Sequence, residues 1–268
     1  MSWLEALILG IVQGLTEFLP VSSSGHLEIG HALLGTNGEE NLTFAIIVHA
    51  ATVLSTLVVL WREVAKLFNG TFITLQWNAE KDYVAKILVS MIPVFVVGMF
   101  FKDQVEAFFG NGLLLVGVCL LITACLLTLS EWLQKKRQNT GHEVTYKDAL
   151  IIGIAQACAV LPGLSRSGTT IATGLLCGVK KESVAQFSFL MVLIPILGEA
   201  FLDMLKLLKG EMAMNLGVVP ALVGFVAAFA TGCFACRFMI EIVRRQRLVW
   251  FGLYCAVVGV IAIITSLC

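Results

Sequence analysis

Charged side chains are scarce in this sequence: they make up 13% of the 268 residues, whereas hydrophobic residues make up 58%. Basic and acidic residues balance, so the net charge is zero and we expect no nucleic-acid partner. The N-terminus lacks the basic stretch and the small-residue cleavage site of a signal peptide, and we expect it to be retained. Because no polar segment is long enough to form a soluble domain, the protein should act within or at a lipid bilayer.

Apolar runs dominate the rest of the chain, which has a mean hydropathy of +0.92. A helix needs about 20 apolar residues to cross the hydrocarbon core of a bilayer. Six runs come close to that length, at residues 42–61, 84–101, 112–133, 184–205, 216–240 and 248–267. We therefore predict an all-α polytopic membrane protein in which residues 1–268 form a single integral membrane domain.

The chain also repeats itself at an offset of 143 residues. The stretch ILGIVQGLTEFLPVSSSGHLEIGHALLG at residues 8–35 aligns with IIGIAQACAVLPGLSRSGTTIATGLLCG at residues 151–178, and nine of the 28 positions are identical. Each copy predicts a helix, a break rich in proline, glycine and serine, and a second short helix. Broken segments at matching positions of two halves are typical of a binding site near the middle of the membrane. We predict a re-entrant helical hairpin in each copy.

The distribution of basic residues favours hairpins over complete crossings, because lysine and arginine gather on the cytoplasmic side of short loops. With two hairpins, 13 basic residues share one side and three lie on the other, whereas complete crossings divide them ten against six. Both termini are then predicted to be extracytoplasmic, and the hairpins enter from opposite faces as inverted-topology repeats. Repeat 1 covers about residues 1–133, a cytoplasmic linker about 134–147, and repeat 2 about 148–268.

The first hairpin places a carboxylate and hydroxyls at membrane depth. Gln13 and Glu17 are four residues apart and share one helix face, and a carboxylate in a membrane segment usually faces a polar interior. Ser22 and Ser23 come at the start of the second helix, where anions bind well. Two alternatives stay open, since Glu17 could be an interfacial residue at a helix end and the serines could be simple N-caps.

Histidines near this motif could transfer a proton near neutral pH. His26 is the strongest candidate, because it lies just inside the second helix of the first hairpin. His31 and His49 have weaker claims: one lies more than a turn further along, and the other lies mid-span, where a hydrogen-bonded helix–helix contact would explain it.

The second copy places Arg166 where the first has Ser23. An arginine deep in a membrane hairpin needs an anionic partner, and its planar guanidinium suits phosphate. If the hairpins meet, Glu17 and His26 approach Arg166, and a structural ion pair between Arg166 and Glu17 is the alternative reading. The candidate donors around this arginine are Ser165, Ser167, Gly168 and Thr170, together with Thr169.

The motifs resemble those of a known family. QGLTEFLPVSSSGH looks like the (E/Q)xxxE and serine-glycine-histidine segment of the undecaprenyl-diphosphate phosphatases, the bacitracin-resistance proteins. LPGLSRSGTT resembles that family's P-G-x-S-R-S-x-x-T motif, and the likeness extends over essentially the whole chain. The resemblance implies a bacterial plasma-membrane hydrolase that converts undecaprenyl diphosphate to undecaprenyl phosphate and inorganic phosphate, recycles the cell-wall carrier lipid and confers bacitracin resistance.

The resemblance also implies an active site toward the extracytoplasmic face and a divalent cation, Mg²⁺ or Ca²⁺. The catalytic residues it implies are Glu17, Ser23, His26 and Arg166, and the implied substrate contacts are Gln13, Ser22, Ser165 and Thr170. The family admits Glu or Gln at its first site, so with Gln13 here Glu17 must supply the anionic metal ligand. Ser23 or a water molecule would attack the phosphate, and His26 would handle the proton.

A transporter is the main alternative class. Inverted repeats with broken helices are a transporter architecture, and a lipid-phosphate flippase would use the same arginine and hydroxyls. Hydrolysis explains Glu17 and His26 beside a serine cluster better than transport does. The expected partners are the polyprenyl lipid substrate and membrane lipid, and the sequence is compatible with a homodimer.

Overall fold

The computed structural model describes residues 1–36, 38–101, 112–137, 141–208, 216–245 and 248–267. These ranges contain helices joined by short connections, and the only extended pairing within them is an isolated bridge between His142 and Val179. The helices are α1 Trp3–Phe18, α2 Ser23–Leu34, α3 Gly38–Val59, α4 Trp61–Phe72, α5 Ala79–Phe100, α6 Gly112–Lys136, α7 Tyr146–Cys158, α8 Arg166–Cys177, α9 Lys181–Leu208, α10 Val218–Arg245 and α11 Leu248–Leu267.

Within the described residues, five helices are long and apolar enough to cross a membrane: α5, α6, α11, most of α10 and the first part of α9. A sixth span is obtained if α3 and α4 are counted together, although the two helices are bent by 76° relative to each other. The all-α polytopic membrane fold is therefore confirmed. The first predicted span, 42–61, runs too far, because α3 ends at Val59 and the chain turns at Leu60 before Trp61 begins another helix.

Both predicted hairpins have the expected helix, break and helix. Hairpin 1 consists of α1 and α2, and hairpin 2 consists of α7 and α8. Serine side chains cap the second helix of each, and each of these helices ends at a left-handed glycine, Gly35 with φ of 66° and Gly178 with φ of 92°. A glycine is suited to this conformation because it has no Cβ to clash with the backbone. The re-entrant course and the inverted orientation of the repeats stay predictions.

The two halves pack into each other rather than side by side. Helix α1 packs along α10, and its counterpart α7 packs along α5, while α6 and α11 pair with one another. The repeated glycines Gly10 and Gly153 allow these close approaches: a Cβ on Gly10 would lie 2.6 Å from the carbonyl oxygen of Gly224, and a Cβ on Gly153 would clash with the carbonyl of Ser90. Each hairpin is thus held by a span of the other half.

The connection between the halves is shorter than the predicted linker 134–147. Residues 134–136 belong to α6, Tyr146 begins α7, and residues 138–140 lie outside the described part of the chain. Within the linker, Glu143 accepts hydrogen bonds from Ser183 Oγ at 2.5 Å and from Lys180 Nζ at 3.2 Å. The hydrogen bond from Ser183, followed by that from Lys180, holds the pKa of the Glu143 carboxyl below its ordinary value. The linker is therefore tied to the region that follows hairpin 2.

Candidate active site

The two hairpins meet at their breaks. Ser167 Oγ donates to the backbone oxygen of Leu19 at 3.2 Å, and the backbone N–H of Gly163 donates to Ser24 Oγ at 3.5 Å. Gly168 also lies against hairpin 1, since a Cβ there would be 3.1 Å from Pro20 Cβ. The junction brings the end of α1 next to the start of α8, which are the parts of the hairpins that carry Glu17 and Arg166.

Glu17 is a buried carboxylate surrounded by donors. Its Oε2 accepts from Ser23 Oγ at 2.6 Å and from Gln13 Nε2 at 2.9 Å, and His49 Nε2 lies 3.6 Å away. Only 8% of the Glu17 side chain is exposed. A carboxylate at this depth is costly unless hydrogen bonds or charge satisfy it, and here α1, α2 and α3 each supply a partner. Glu17 is thus buried within the protein, although it lies one residue before the end of α1.

Arg166 and Glu17 line one cavity between hairpin 1, α3, α8 and α9. Arg166 is close enough to act on the charge of Glu17, yet within the described residues no carboxylate lies within the 4.0 Å of an ion pair with it. The structural ion pair considered from the sequence is therefore not formed. The polar lining consists of Glu17, Arg166, Ser167, Ser188, Thr52 and Thr56, and the apolar lining consists of Phe18, Val53, Phe189, Val192, Leu193 and Ile196.

Several predicted substrate contacts are used inside the hairpins. Ser22 Oγ accepts from the N–H of Gly25 at 3.3 Å, and Ser165 Oγ accepts from the N–H of Gly168 at 3.1 Å, so both serines are N-caps. Thr170 Oγ1 donates to a backbone oxygen of its own helix at 3.0 Å. All three hydroxyl residues are buried, which favours the capping alternative for the serines. Among the predicted donors of hairpin 2, Ser167 is the one whose side chain lines the cavity.

His26 faces a different helix from the one the sequence suggested. Its Nδ1 lies 2.8 Å from the backbone oxygen of Ser22, and its Nε2 lies 2.7 Å from the hydroxyl of Tyr254 on α11. The two rings are stacked, with centroids 5.6 Å apart and 13° between their planes. Since a carbonyl oxygen can only accept, Nδ1 carries the proton and, in the neutral ring, Tyr254 donates to Nε2. The structure thus fixes one tautomer of His26.

The backbone at Ser22 is strained. Its φ of 70° is the one positive value found at a non-glycine residue in the described ranges, and the equivalent Ser165 has φ of −69°. The Ser22 carbonyl accepts both from the His26 ring and from the His26 backbone N–H, the latter at 3.2 Å. A conformation of this kind persists only where its surroundings hold it and is common at functional sites. The strained residue directly precedes Ser23, which contacts Glu17.

Two residues that the sequence motifs do not indicate, His49 and Tyr254, lie next to the candidate site. His49 makes the expected helix–helix contact, but its partner is the Glu17 carboxylate of the predicted site. No motif indicates Tyr254, and its only signal in the sequence is that it is the single tyrosine within the apolar run 248–267. Both residues contact hairpin 1 from helices that are distant in the sequence, so neither contact could be read from a local motif.

The residues around Glu17 suit a hard divalent cation as part of its ligand set. Gln13 is fully buried, and its Oε1 has no hydrogen-bond partner, although the same amide donates to Glu17. Carboxylate and amide oxygens are the ligands that Mg²⁺ and Ca²⁺ prefer. Within the described ranges no group of three or more His, Cys, Asp or Glu side chains could hold a metal. Any cation bound here would therefore need further oxygens from water or from a phosphorylated ligand.

Comparison with known proteins gives concordant results over the full length. The family described as bacitracin resistance protein BacA matches residues 6–261. An undecaprenyl-diphosphatase of Bacteroides fragilis is 60% identical over 267 residues, which cover 99% of both chains. Proteins of the same name from Parabacteroides distasonis, 60% identical over 270 residues, and Carboxydothermus hydrogenoformans, 38% identical over 261 residues, cover at least 96% of each chain. With the family matched from α1 to α11, this chain belongs to the bacitracin resistance protein BacA family.

Proposed function

We propose that this protein is an undecaprenyl-diphosphate phosphatase, which hydrolyses undecaprenyl diphosphate to undecaprenyl phosphate and inorganic phosphate. The observation that carries the proposal is the cavity that Arg166 and hydrogen-bonded Glu17 line together with apolar residues of α9. A diphosphate with a long prenyl tail has the matching combination of charge and apolar surface, and the cavity, with a volume of about 20 Å³, would have to widen to admit it. Relatives that are 60% identical over the full length carry this activity in their names.

Arg166 binds the diphosphate in this proposal. Its guanidinium can form two parallel hydrogen bonds to phosphate oxygens, and within the described residues no carboxylate competes for it. Ser188 adds a hydroxyl donor at the same cavity, because its buried Oγ has no hydrogen-bond partner among the described residues, whereas the Ser167 hydroxyl already donates to Leu19. The apolar residues of α9 would receive the first part of the prenyl chain.

Ser23 is positioned to act as the nucleophile or to orient an attacking water molecule. Its hydroxyl donates to Glu17 at 2.6 Å, so the carboxylate can take the proton as the oxygen attacks the terminal phosphorus. The bond between that phosphorus and the bridging oxygen breaks, and undecaprenyl phosphate leaves with the electron pair. If Ser23 attacks, water must then hydrolyse the phosphoserine; if water attacks, inorganic phosphate forms directly.

Histidines supply the remaining proton handling and positioning. His26 is held in one tautomer by Ser22 and Tyr254, with its basic nitrogen on the Tyr254 side. We assign it the exchange of protons with the leaving group or with water in the open site. His49 lies 3.6 Å from Glu17 and helps to keep the carboxylate oriented toward Ser23.

A divalent cation, Mg²⁺ or Ca²⁺, is proposed as the cofactor. Glu17 and the unpartnered Oε1 of Gln13 would be its protein ligands. When bound, it would neutralise charge on the diphosphate oxygens. The small number of protein ligands is consistent with a cation that is bound together with its substrate.

The cellular arrangement is proposed from charge and from the family resemblance. Charge favours termini on the extracytoplasmic side, and from the resemblance we propose the bacterial plasma membrane and an active site toward that same side. The bias of 13 basic residues against three across the predicted loops supports this orientation. Membrane lipid surrounds the spans, and the released phosphate would leave on the outer side.

The test is an assay on purified protein in detergent, where no gradient across a membrane exists. With undecaprenyl diphosphate and Mg²⁺, the protein should release inorganic phosphate, and EDTA should stop the release. If no phosphate appears but proteoliposomes move a labelled lipid phosphate between leaflets, the protein is a flippase and the proposal is wrong.

A further inference from the structure

Helix α4 is an amphipathic helix that the catalytic proposal does not use. It leaves the apolar helix α3 at a bend of 76°, so it runs roughly parallel to the membrane surface if α3 crosses the membrane. None of its residues is buried. The chain then makes a turn and begins α5, another apolar span, at Ala79. The segment of residues 61–77, which we call the surface segment, therefore precedes the span α5 and follows the apolar helix α3.

The surface segment exposes an unusual amount of aromatic and aliphatic surface for a loop between spans. On α4, Trp61, Phe68 and Phe72 are 65%, 58% and 72% exposed, and their spacing of seven and four residues places them on one helix face. The rings of Phe68 and Phe72 are 4.8 Å apart. Past the end of α4, the chain adds Ile73, Leu75 and Trp77, which are 72%, 99% and 71% exposed. Water alone would be a poor environment for this surface.

The other faces of α4 contact the rest of the protein. Val64 and Leu67 pack against the main hydrophobic core. Next to them, Lys66 Nζ lies 3.6 Å from Glu80 on α5, and Asn78 Nδ2 donates to the backbone oxygen of Gly70 at 2.8 Å. These contacts fix the rotation of α4 about its axis. The aromatic face is thus held away from the protein by contacts on the opposite side.

The basic side chains of this region indicate which environment the aromatic face of α4 contacts. Arg62 follows Trp61 and is exposed, and it has no ion-pair partner among the described residues. Lys81 Nζ donates to the backbone oxygens of Thr74 and Leu75, at 2.5 and 3.1 Å, and so holds the turn that exposes Leu75 and Trp77. Tryptophan beside an unpaired arginine at the end of a span is typical of the headgroup region of a bilayer.

We propose that the surface segment is a membrane anchor. Its aromatic face lies at the boundary between headgroups and acyl chains, and Arg62 binds the phosphate of an anionic phospholipid there. The anchor also holds the end of α3, the helix that brings His49 to Glu17. The occupant we propose is lipid rather than a second copy of the chain, because the surface segment joins two apolar helices, α3 and α5, and carries tryptophans beside a cation.

The first experiment locates the segment by tryptophan fluorescence. The protein has five tryptophans, so Trp61 or Trp77 is kept alone in full-length variants whose other tryptophans are phenylalanine. In nanodiscs, lipids brominated high on the acyl chain should reduce the emission of each to about half, and aqueous iodide should quench little. Strong quenching by iodide without quenching by the brominated lipids would overturn the proposal. A third outcome would also overturn the proposal. If neither agent quenches the emission and Phe68→Cys cross-links two copies of the protein, the aromatic face belongs to a dimer interface.

The second experiment tests the anionic lipid. Nanodiscs of phosphatidylcholine are compared with nanodiscs that also contain phosphatidylglycerol, and the thermal unfolding midpoint is measured in both. Phosphatidylglycerol should raise the midpoint of the wild type, and Arg62→Gln should remove about half of that increase. Lys147→Gln is the matched control, because it removes an exposed cation of α7, outside the surface segment, and should keep the increase. An unchanged increase in Arg62→Gln would show that the arginine does not bind the lipid.

Discussion

Hairpin 1 and hairpin 2 share a backbone plan but carry opposite charges. Both have a serine N-cap before the second helix and a left-handed glycine after it, and both pack their first helix on a span of the other half. Two of the positions at which they differ carry the charges of the candidate site: Glu17 corresponds to Val160, and Ser23 corresponds to Arg166. The residues that the two hairpins share therefore form the junction between them. The positions at which they differ supply the carboxylate of Glu17, the hydroxyl of Ser23 and the guanidinium of Arg166.

Gln13 and Gln156 occupy equivalent positions in the two hairpins, but their side chains differ in their hydrogen-bond partners. Gln13 donates to Glu17 at 2.9 Å, whereas both side-chain polar atoms of Gln156 are buried without a partner among the described residues. Hairpin 2 has no carboxylate at the equivalent of Glu17, so its glutamine has lost the partner that hairpin 1 retains. The charges that we propose for catalysis are thus divided between the hairpins, and neither hairpin forms the candidate site alone.

Replacing Arg166 by the serine that hairpin 1 has at the equivalent position should have the largest effect on activity. Arg166→Ser introduces the residue type that hairpin 1 has at this position and removes the cation that grips the diphosphate. We expect kcat/KM for undecaprenyl diphosphate to fall about 10³-fold, as for the loss of a buried oxyanion donor. Arg237→Ser, which removes an exposed arginine from α10, serves as the control and should retain activity. Phosphate release at the wild-type rate by Arg166→Ser would refute the assignment.

Removing the carboxylate of hairpin 1 should have the next largest effect. Glu17→Gln keeps the shape of the side chain but loses the base for Ser23 and the anionic ligand for the cation. We expect kcat to fall about 10²-fold and the Mg²⁺ concentration needed for half-maximal rate to rise. The exposed Glu28→Gln, on α2 of the same hairpin, should leave both quantities unchanged. A Mg²⁺ titration that is identical in Glu17→Gln and wild type would remove Glu17 from the metal site.

The contact between His26 and Tyr254 distinguishes hairpin 1 further. Tyr254→Phe keeps the stacked ring and removes the hydroxyl, and it should lower kcat about tenfold with little change in KM, because Tyr254 acts through His26. His26→Gln should cause a loss at least as large. The double variant should be no slower than His26→Gln alone. Additive losses in the double variant would mean that the two residues act independently. Tyr83→Phe is the control, since the Tyr83 hydroxyl has no hydrogen-bond partner in the described part of the chain.

The shared part of the plan can be tested by stability. Gly10→Ala and Gly153→Ala each place a methyl group against the backbone of a span from the other half, so each should destabilise the fold by about 1–3 kcal/mol. Gly98→Ala, where nothing lies within 4 Å of the new Cβ, should be neutral or slightly stabilising. Thermal unfolding in detergent measures the difference. If Gly10→Ala and Gly153→Ala behave like Gly98→Ala, the packing between the halves is looser than described.

The linker contact at Glu143 should have the smallest effect. The pKa of Glu143 is lowered by Ser183 and then by Lys180, so its stabilising contribution is full above the ordinary glutamate pKa and disappears as the pH falls through the lowered value. Glu143→Gln should lower the unfolding temperature slightly at neutral pH, and the difference from wild type should vanish in acid. The midpoints of both proteins across a pH series provide the measurement, and a difference independent of pH would contradict the assignment.

Much of the fold could be predicted because it depends on short-range patterns. The length of apolar runs located the spans, and the Pro, Gly and Ser breaks located both hairpins. The bend at Leu60 and helix α4 were not predicted, since the residues that follow Trp61 mix charged and apolar side chains and read as a loop. The site was predicted in part: Glu17, Ser23 and Arg166 lie at one junction, but Ser22 and Ser165 are caps and His26 turns toward α11.

The sequence by itself determined that this chain is a helical membrane protein with two related hairpins and that a carboxylate, a serine and an arginine lie in them. Those properties follow from hydropathy, helix period and spacing, which are local. Only the tertiary structure decided that His49 would approach Glu17, that Tyr254 would hold His26, and that Arg166 would line the cavity with no carboxylate of the described residues bound to it. These contacts join different helices, and they depend on how whole helix faces pack rather than on a local motif.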